Sequence, residues 1–155
     1  MAIDIKYKAE YPANILSNFW PRPFLIDGVE CASMEGFLQS LKTKDPDKQR
    51  TVCLLCAKEA KNYFKHRWDN LRWKLTGNLY WRGQKIKRSS RDYQRLLDRA
   101  FELMSEDPEF RRALLATKNE KLTHSIGKSN PRLTVLTESE FIGRLERIRN
   151  EISQI

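Results

Sequence analysis

Apolar and polar residues alternate from Ile3 to Tyr7 and again from Phe24 to Ile26, where Asp27-Gly28 supplies a turn signal. This period of two predicts two short strands with a hairpin-like connection. Pro12, Pro21 and Pro23 keep the segment between them extended or turning. After Ser33 the period changes: Met34, Phe37, Leu38 and Leu41 fall on one face of a helix that stops before Pro46. A second helix is expected from about residue 47 to 66, burying Val52, Leu55, Cys56, Ala60 and Tyr63 or their neighbours. Residues 68–90 read as irregular, with Gly77 and Gly83 turning the chain around Asn78-Leu79-Tyr80-Trp81. Tyr93, Leu96, Leu97, Ala100, Phe101 and Met104 make an amphipathic stripe that Ser89 or Ser90 can cap. Phe110 to Thr117 gives another short helix. The last begins with a capping box, Thr137 and Glu140, and buries Phe141, Leu145, Ile148 and Ile152. The pattern is that of a mainly helical α+β protein with a small sheet near its start. With no repeat, linker or low-complexity stretch, residues 1–155 read as a single domain.

Composition adds limits. At 155 residues the chain can bury enough surface to fold without disulfides or a structural metal. A charged fraction of 32% alone would suit disorder, but four Trp, seven Phe and five Tyr argue against it. No apolar run approaches the length of a membrane span, so no membrane partner is expected. The start, Met-Ala-Ile-Asp-Ile-Lys, lacks the apolar core of a signal peptide, which predicts a cytoplasmic protein with reduced thiols. Cys53-Leu-Leu-Cys56 has the spacing of a zinc or redox knuckle, yet it lies in an apolar run and no second pair completes four ligands. His66 and His124 are far apart. Neither a metal nor another cofactor is expected.

The net charge of +9 is not spread evenly. All of the excess lies between Lys58 and Arg95, where twelve basic residues meet only Glu59, Asp69 and Asp92. An anionic partner follows, whether a nucleic acid or a phosphorylated metabolite. Arg67, Arg72, Lys74, Arg82, Lys85, Lys87 and Arg88 surround Trp68, Trp73 and Trp81, a mixture suited to phosphates and a stacked base. Lys58, Lys61 and Lys65 recur along one helix face and read as solvated.

Two constellations carry candidate chemistry. On the first helix, Glu35, Gln39 and Lys42 fall within roughly 60° of one another, about 110° from the apolar stripe. They form either a solvated surface or a site offering an acid, an amide and a base. Glu35 sits in the first turn, where the dipole favours its ionised form, and Gly36 leaves room for a ligand. The second is Leu16-Ser17-Asn18-Phe19-Trp20-Pro21. Its rings suit a flat heteroaromatic ligand and its polar side chains suit the ligand's edge; equally, the loop is a Ser or Asx turn closing the core.

Taken in order, Ser17-Asn18-Phe19, Phe24 with Asp27-Gly28, and Ser33-Met34-Glu35 followed by Gln39 and Lys42 resemble the NADAR family, also called YbiA-like. The resemblance runs on through Trp68, Gly83-Gln84-Lys85-Ile86, Tyr93 and Leu114-Leu115-Ala116-Thr117, covering residues 14–128. It implies a YbiA-like fold and an N-glycosidase, a hydrolase that cleaves the bond between a base-like amine and ribose. Its implied substrates are phosphorylated riboflavin-pathway intermediates or ADP-ribose on guanine. Such a bond breaks through an oxocarbenium-like state that a carboxylate stabilises while water attacks. Glu35 is the matching carboxylate. Ser17, Asn18, Phe19, Trp20, Gln39, Lys42, Trp68, Trp81 and Arg82 are the candidate substrate contacts.

The chain also departs from the family. Where relatives carry an acid and then an Asp before Trp-Gly, this chain has His124 and, nearest, Asn130; where some carry a Lys before Asp-Gly, it has Ile26. His124 is a candidate acid or base near neutral pH, and Asn130 a candidate contact to a ribose hydroxyl. Two further readings stay open, the first from these differences and the second from the basic block. One is a non-catalytic binder of ADP-ribose or related nucleotides; the other is a nucleic-acid-binding module built on residues 58–95. The expected partner is a phosphorylated ribosyl or ADP-ribosyl substrate, free or carried on nucleic acid.

Overall fold

The computed structural model describes residues 1–154. In chain order the elements are β1 (Ala2–Asp4), β2 (Phe24–Ile26), β3 (Val29–Cys31), α1 (Met34–Ser40), α2 (Pro46–Cys53), α3 (Ala57–Asn62), α4 (Trp68–Thr76), β4 (Asn78–Trp81), β5 (Gln84–Lys87), α5 (Arg91–Met104), α6 (Pro108–Ala116), β6 (Lys121–Thr123) and α7 (Glu138–Ser153). The fold is α+β and mainly helical, as expected.

The strands do not form one N-terminal sheet. They make three two-stranded sheets: β2 with β3 and β4 with β5 as antiparallel hairpins, and β1 with β6 in parallel. The Asp27-Gly28 turn therefore joins β2 to β3 rather than β1 to β2. At this turn Asp27 (φ 51°) and Gly28 (φ 78°) both adopt the left-handed conformation that a tight hairpin requires. β1 instead finds its partner far along the chain.

The single helix expected over 47–66 is two helices. Between them, the carbonyl groups that would continue α2 are used elsewhere: Ala32 N–H donates to Cys53 O, and the Ser33 hydroxyl donates to Leu55 O. Ala57, at φ 49°, then restarts the chain as α3. This junction presses directly on Gly36, where an added Cβ would lie 2.5 Å from Leu55 O. The space at Gly36 is filled by the end of α2, not by a ligand.

Residues 68–90, expected to be irregular, hold α4 and the β4–β5 hairpin. Gly77 ends α4 in the left-handed conformation. The other helix starts follow the sequence closely, with Ser90 capping α5 and Thr137 and Glu140 forming the expected box on α7. The core is a continuous cluster that draws Phe37 and Leu38 of α1 and Leu41, which caps its end, together with Leu97 and Phe101 of α5 and Phe141 and Leu145 of α7. Cys31 and Cys53 are buried within it.

Candidate functional site

One face of α1 packs into the core, and its neighbouring face forms the floor of a cleft of about 470 Å³. The helix is held at both ends. At its start Ser33 caps Gly36 N–H, and Glu35 N–H donates to Asn18 O, which ties the Ser-Asn-Phe loop to the first turn. At its end, where carbonyls lack helical partners, Gln49 donates to Ser40 O, Tyr80 N–H to Leu41 O, and Arg72 to Lys42 O.

The cleft brings together Ser17, Asn18, Phe19, Glu35, Gln39, Lys42 and His124, seven of the residues singled out in the sequence. Gln39 donates to Glu35 Oε1 at 2.9 Å. Among the described residues Glu35 is the only carboxylate lining the cleft, and it has no ion-pair partner. Burial pushes its pKa above the usual carboxylate range, against the bond from Gln39 and the charges of Lys42, Lys61 and His124. Burial thus outweighs the helix dipole, which favours the ionised form. Burial also brings Lys42 down to about 8, opposed by Glu35 and reinforced by Lys74 and Lys128.

His124 reaches the cleft because β6 runs beside β1. Ile5 N–H donates to Thr123 O, and one residue later the His124 Nδ1 lies 2.8 Å from Ile5 O. A carbonyl oxygen only accepts, so Nδ1 carries the proton and Nε2 is the nitrogen left for the cleft. The ring also meets Phe141 edge-on at 5.2 Å, and Gly127 allows the chain to fold closely over it.

The basic block divides three ways. Lys61, Lys65 and Lys74 line the cleft, joined from outside the block by Lys42 and Lys128. Lys61 and Lys65 are therefore not merely solvated; Lys61 Nζ also lies 6.0 Å from the Phe19 ring centroid. Arg72 and Arg88 are structural, paired with Asp69 and Glu140. Arg82 and Lys85 lie exposed on the β4–β5 hairpin.

Five of the sequence candidates are placed outside the cleft. Trp20 donates its indole N–H to Glu109. Trp81 is buried, edge-on to Phe37 at 5.2 Å, and donates to Asp27, which also takes a bidentate pair from Arg99. Arg82 uses its main-chain N–H to meet Gln49, and Asn130 accepts from Arg132 N–H in its own turn. Trp68 is 64% exposed on α4. Conversely, Tyr7, Asn70, Thr134 and Lys128 line the cleft although the sequence offered no local pattern for them. Ser17 combines both readings: its hydroxyl accepts from Phe19 N–H in a tight turn and also lines the cleft. A second groove of about 700 Å³ adjoins across Tyr7, Phe19 and Ile126.

No group of three or more His, Cys, Asp or Glu side chains is gathered to hold a metal among the described residues. Among the same residues no helix is long and apolar enough to cross a membrane.

Comparison with known proteins agrees with the fold. The solved structure of the E. coli protein YbiA superposes with a TM-score of 0.63 over 99% of this chain and 86% of YbiA, at 16% identity. The YbiA-like architecture implied by the motifs from Ser17 to Lys42 is present. A 17.1 kDa protein encoded in the Gp30-rIII intergenic region of Enterobacteria phage T4 is 34% identical over 155 residues, spanning 97% of this chain and 98% of the relative. The family model for bacteriophage protein GP30.3 matches residues 10–150. With nearly its whole length matched in this way, the chain belongs to the bacteriophage GP30.3 family.

Proposed function

We propose that this protein hydrolyses the C–N bond between ribose and a base-like amine in a phosphorylated nucleotide-like or ADP-ribosyl substrate. The observation that carries the reading is a lone, desolvated carboxylate, Glu35, on the floor of a cleft lined by five lysines. As the C1–N bond lengthens, positive charge grows on the ribose. An ionised Glu35 on the cleft floor stabilises that charge and takes a proton from the attacking water. The water oxygen bonds to C1, and the leaving nitrogen departs with a proton. Gln39 fixes the carboxylate through its 2.9 Å bond. In its imidazolium form, with Nδ1–H held by Ile5 O, His124 gives its Nε2 proton to the leaving nitrogen, and the proton that Glu35 took from water restores it. Lys42, Lys61, Lys65, Lys74 and Lys128 hold phosphate, and Phe19 with Tyr7 offers a stacking wall.

The test is incubation with ADP-ribosylated guanine nucleic acid, NAD and ribosylamino-pyrimidine phosphates, following the released amine by mass spectrometry. Turnover that Glu35→Gln abolishes supports the reading; normal turnover by that variant rejects the mechanism. A second reading rests on the same solitary carboxylate: a protein that binds such nucleotides without cleaving them. Calorimetry separates the two, because a binder returns its ligand intact.

A further inference from the structure

The side chain that the sequence marked for the substrate and the fold turned away, Trp68, belongs to a feature of its own. On α4, Trp68, Leu71 and Leu75 are 64%, 49% and 69% exposed. At 100° per residue they lie within about 60° of one another, a continuous apolar ridge on a helix whose opposite side buries Trp73 and Asp69. Isolated exposed leucines are ordinary, but three large apolar side chains in register on one helix face mark a contact surface. The rim is cationic: Arg67, stacked on the Tyr63 ring at 4.3 Å, immediately precedes Trp68, and Lys65 and Lys74 lie where the ridge gives way to the cleft that they also line; all three are exposed. The one acid on the helix, Asp69, is buried and paired with Lys48 and Arg72.

We propose that the ridge of Trp68, Leu71 and Leu75 docks an acidic amphipathic helix of another protein. Charge selects the occupant. A second copy of this chain, carrying a net +9, would set one basic rim against another. Two of the three ridge residues are leucines, which fill a groove between helix side chains but give a nucleobase no π-face to stack on. An acidic helix meets both requirements, with leucines on one stripe and carboxylates beside it for Lys65, Arg67 and Lys74. The site also has a position that matters: Asn70 and Lys74, about 110° around the same helix, line the cleft. A helix docked on the ridge sits at the mouth of the cleft.

The probe is a synthetic helix of about 15 residues with Leu at i, i+3, i+4 and i+7 and Glu at its other surface positions, tested against a copy with Lys in place of Glu. Trp68 is the one tryptophan that is largely exposed, so its emission reports binding directly. The expected result is a saturable blue shift with the Glu helix, at an affinity at least about tenfold above the Lys helix and weakened by salt. Leu71→Ser/Leu75→Ser reduces that affinity about tenfold or more, and Leu75→Ala does so partially, with thermal unfolding confirming that both variants fold. Equal affinity for the two helices, no shift with either, or an unchanged affinity in the double variant overturns the proposal. A dimer in sedimentation that the double variant abolishes assigns the ridge to a second copy, and a blue shift on binding oligo(dT) assigns it to nucleic acid; either result also overturns it.

Discussion

Replacing Glu35 by Gln separates two consequences of burying one carboxylate. The amide has nearly the same shape, and its oxygen can still accept the 2.9 Å hydrogen bond from Gln39, so packing is preserved. What is removed is a charge that desolvation makes expensive. For a carboxyl whose pKa is higher in the folded state than in the unfolded chain, the native state loses stability as pH rises from the unfolded value, about 4.3, to the folded one, and is constant above it. Each unit of elevation costs about 1.4 kcal/mol. In a protein of this size 1 kcal/mol moves Tm by roughly 2–4 °C. Glu35→Gln therefore melts higher than the parent protein at pH 8, by roughly 3–6 °C for each pH unit that separates the folded from the unfolded value, while the two converge at pH 4, where the parent carboxyl is also neutral. Turnover falls by roughly 10²–10⁴-fold, the usual worth of a positioned acid or base. Thermal unfolding at the two pH values, beside single-turnover release of the amine, measures both. A Tm difference that is the same at pH 4 and pH 8 refutes the account of the buried charge. A stabilised variant that keeps full turnover refutes the catalytic role alone.

The pH profile of kcat/KM should be bell-shaped, with an acid limb above the usual carboxylate range from Glu35 and an alkaline limb near 8 from Lys42; Lys42→Arg should carry the alkaline limb upward. Lys65→Ala and Lys74→Ala should raise KM with little change in kcat and flatten its salt dependence, as measured by steady-state kinetics at two ionic strengths. Gly36→Ala should destabilise by roughly 1–3 kcal/mol in urea unfolding, since its Cβ would lie 2.5 Å from Leu55 O. Arg88→Ala removes the bidentate partner of the half-buried Glu140 carboxylate, which keeps bonds from Gln94 and Thr137 N–H, and should cost about 1–3 kcal/mol at neutral pH. Glu140's pKa is lowered to about 2, so its stabilisation is present above the ordinary carboxylate range and is lost as pH falls from about 4 towards 2; acid unfolding of parent and variant should converge there.

The strongly periodic helices were legible because their stripes and caps are local facts: Tyr93 to Met104 and the Thr137–Glu140 box specify their own starts and buried faces. The break between α2 and α3 was not, because it depends on Ala32 and Ser33 claiming carbonyls some twenty residues away. Pairing of β1 was equally hidden, since three alternating residues do not encode a partner. In the site, the floor could be read because Glu35, Gln39 and Lys42 repeat at helical spacing. The walls could not. Lys61 with Lys65, Lys74, and Lys128 come from three separate segments that only the tertiary fold brings to one cleft. Trp81 and Arg82 misled for a related reason: a basic, aromatic stretch looks the same whether its rings face a ligand or a buried neighbour such as Phe37.

The pairing of β1 with β6 sets an order of events during synthesis. Asp4 and Thr123, joined by a hydrogen bond, stand 119 positions apart. At about 5–20 residues per second, β1 waits on the order of ten seconds on the ribosome before its neighbour is made. Through that interval β1 lacks the strand it pairs with, and the imidazole has not yet been translated. The floor with Lys42, Lys61, Lys65 and Lys74 is made first, but the wall of His124 and Lys128 closes only when the chain's earliest and late segments meet. The cleft cannot be complete until β6 has been made, and a fragment that ends before β6 holds Glu35 without His124.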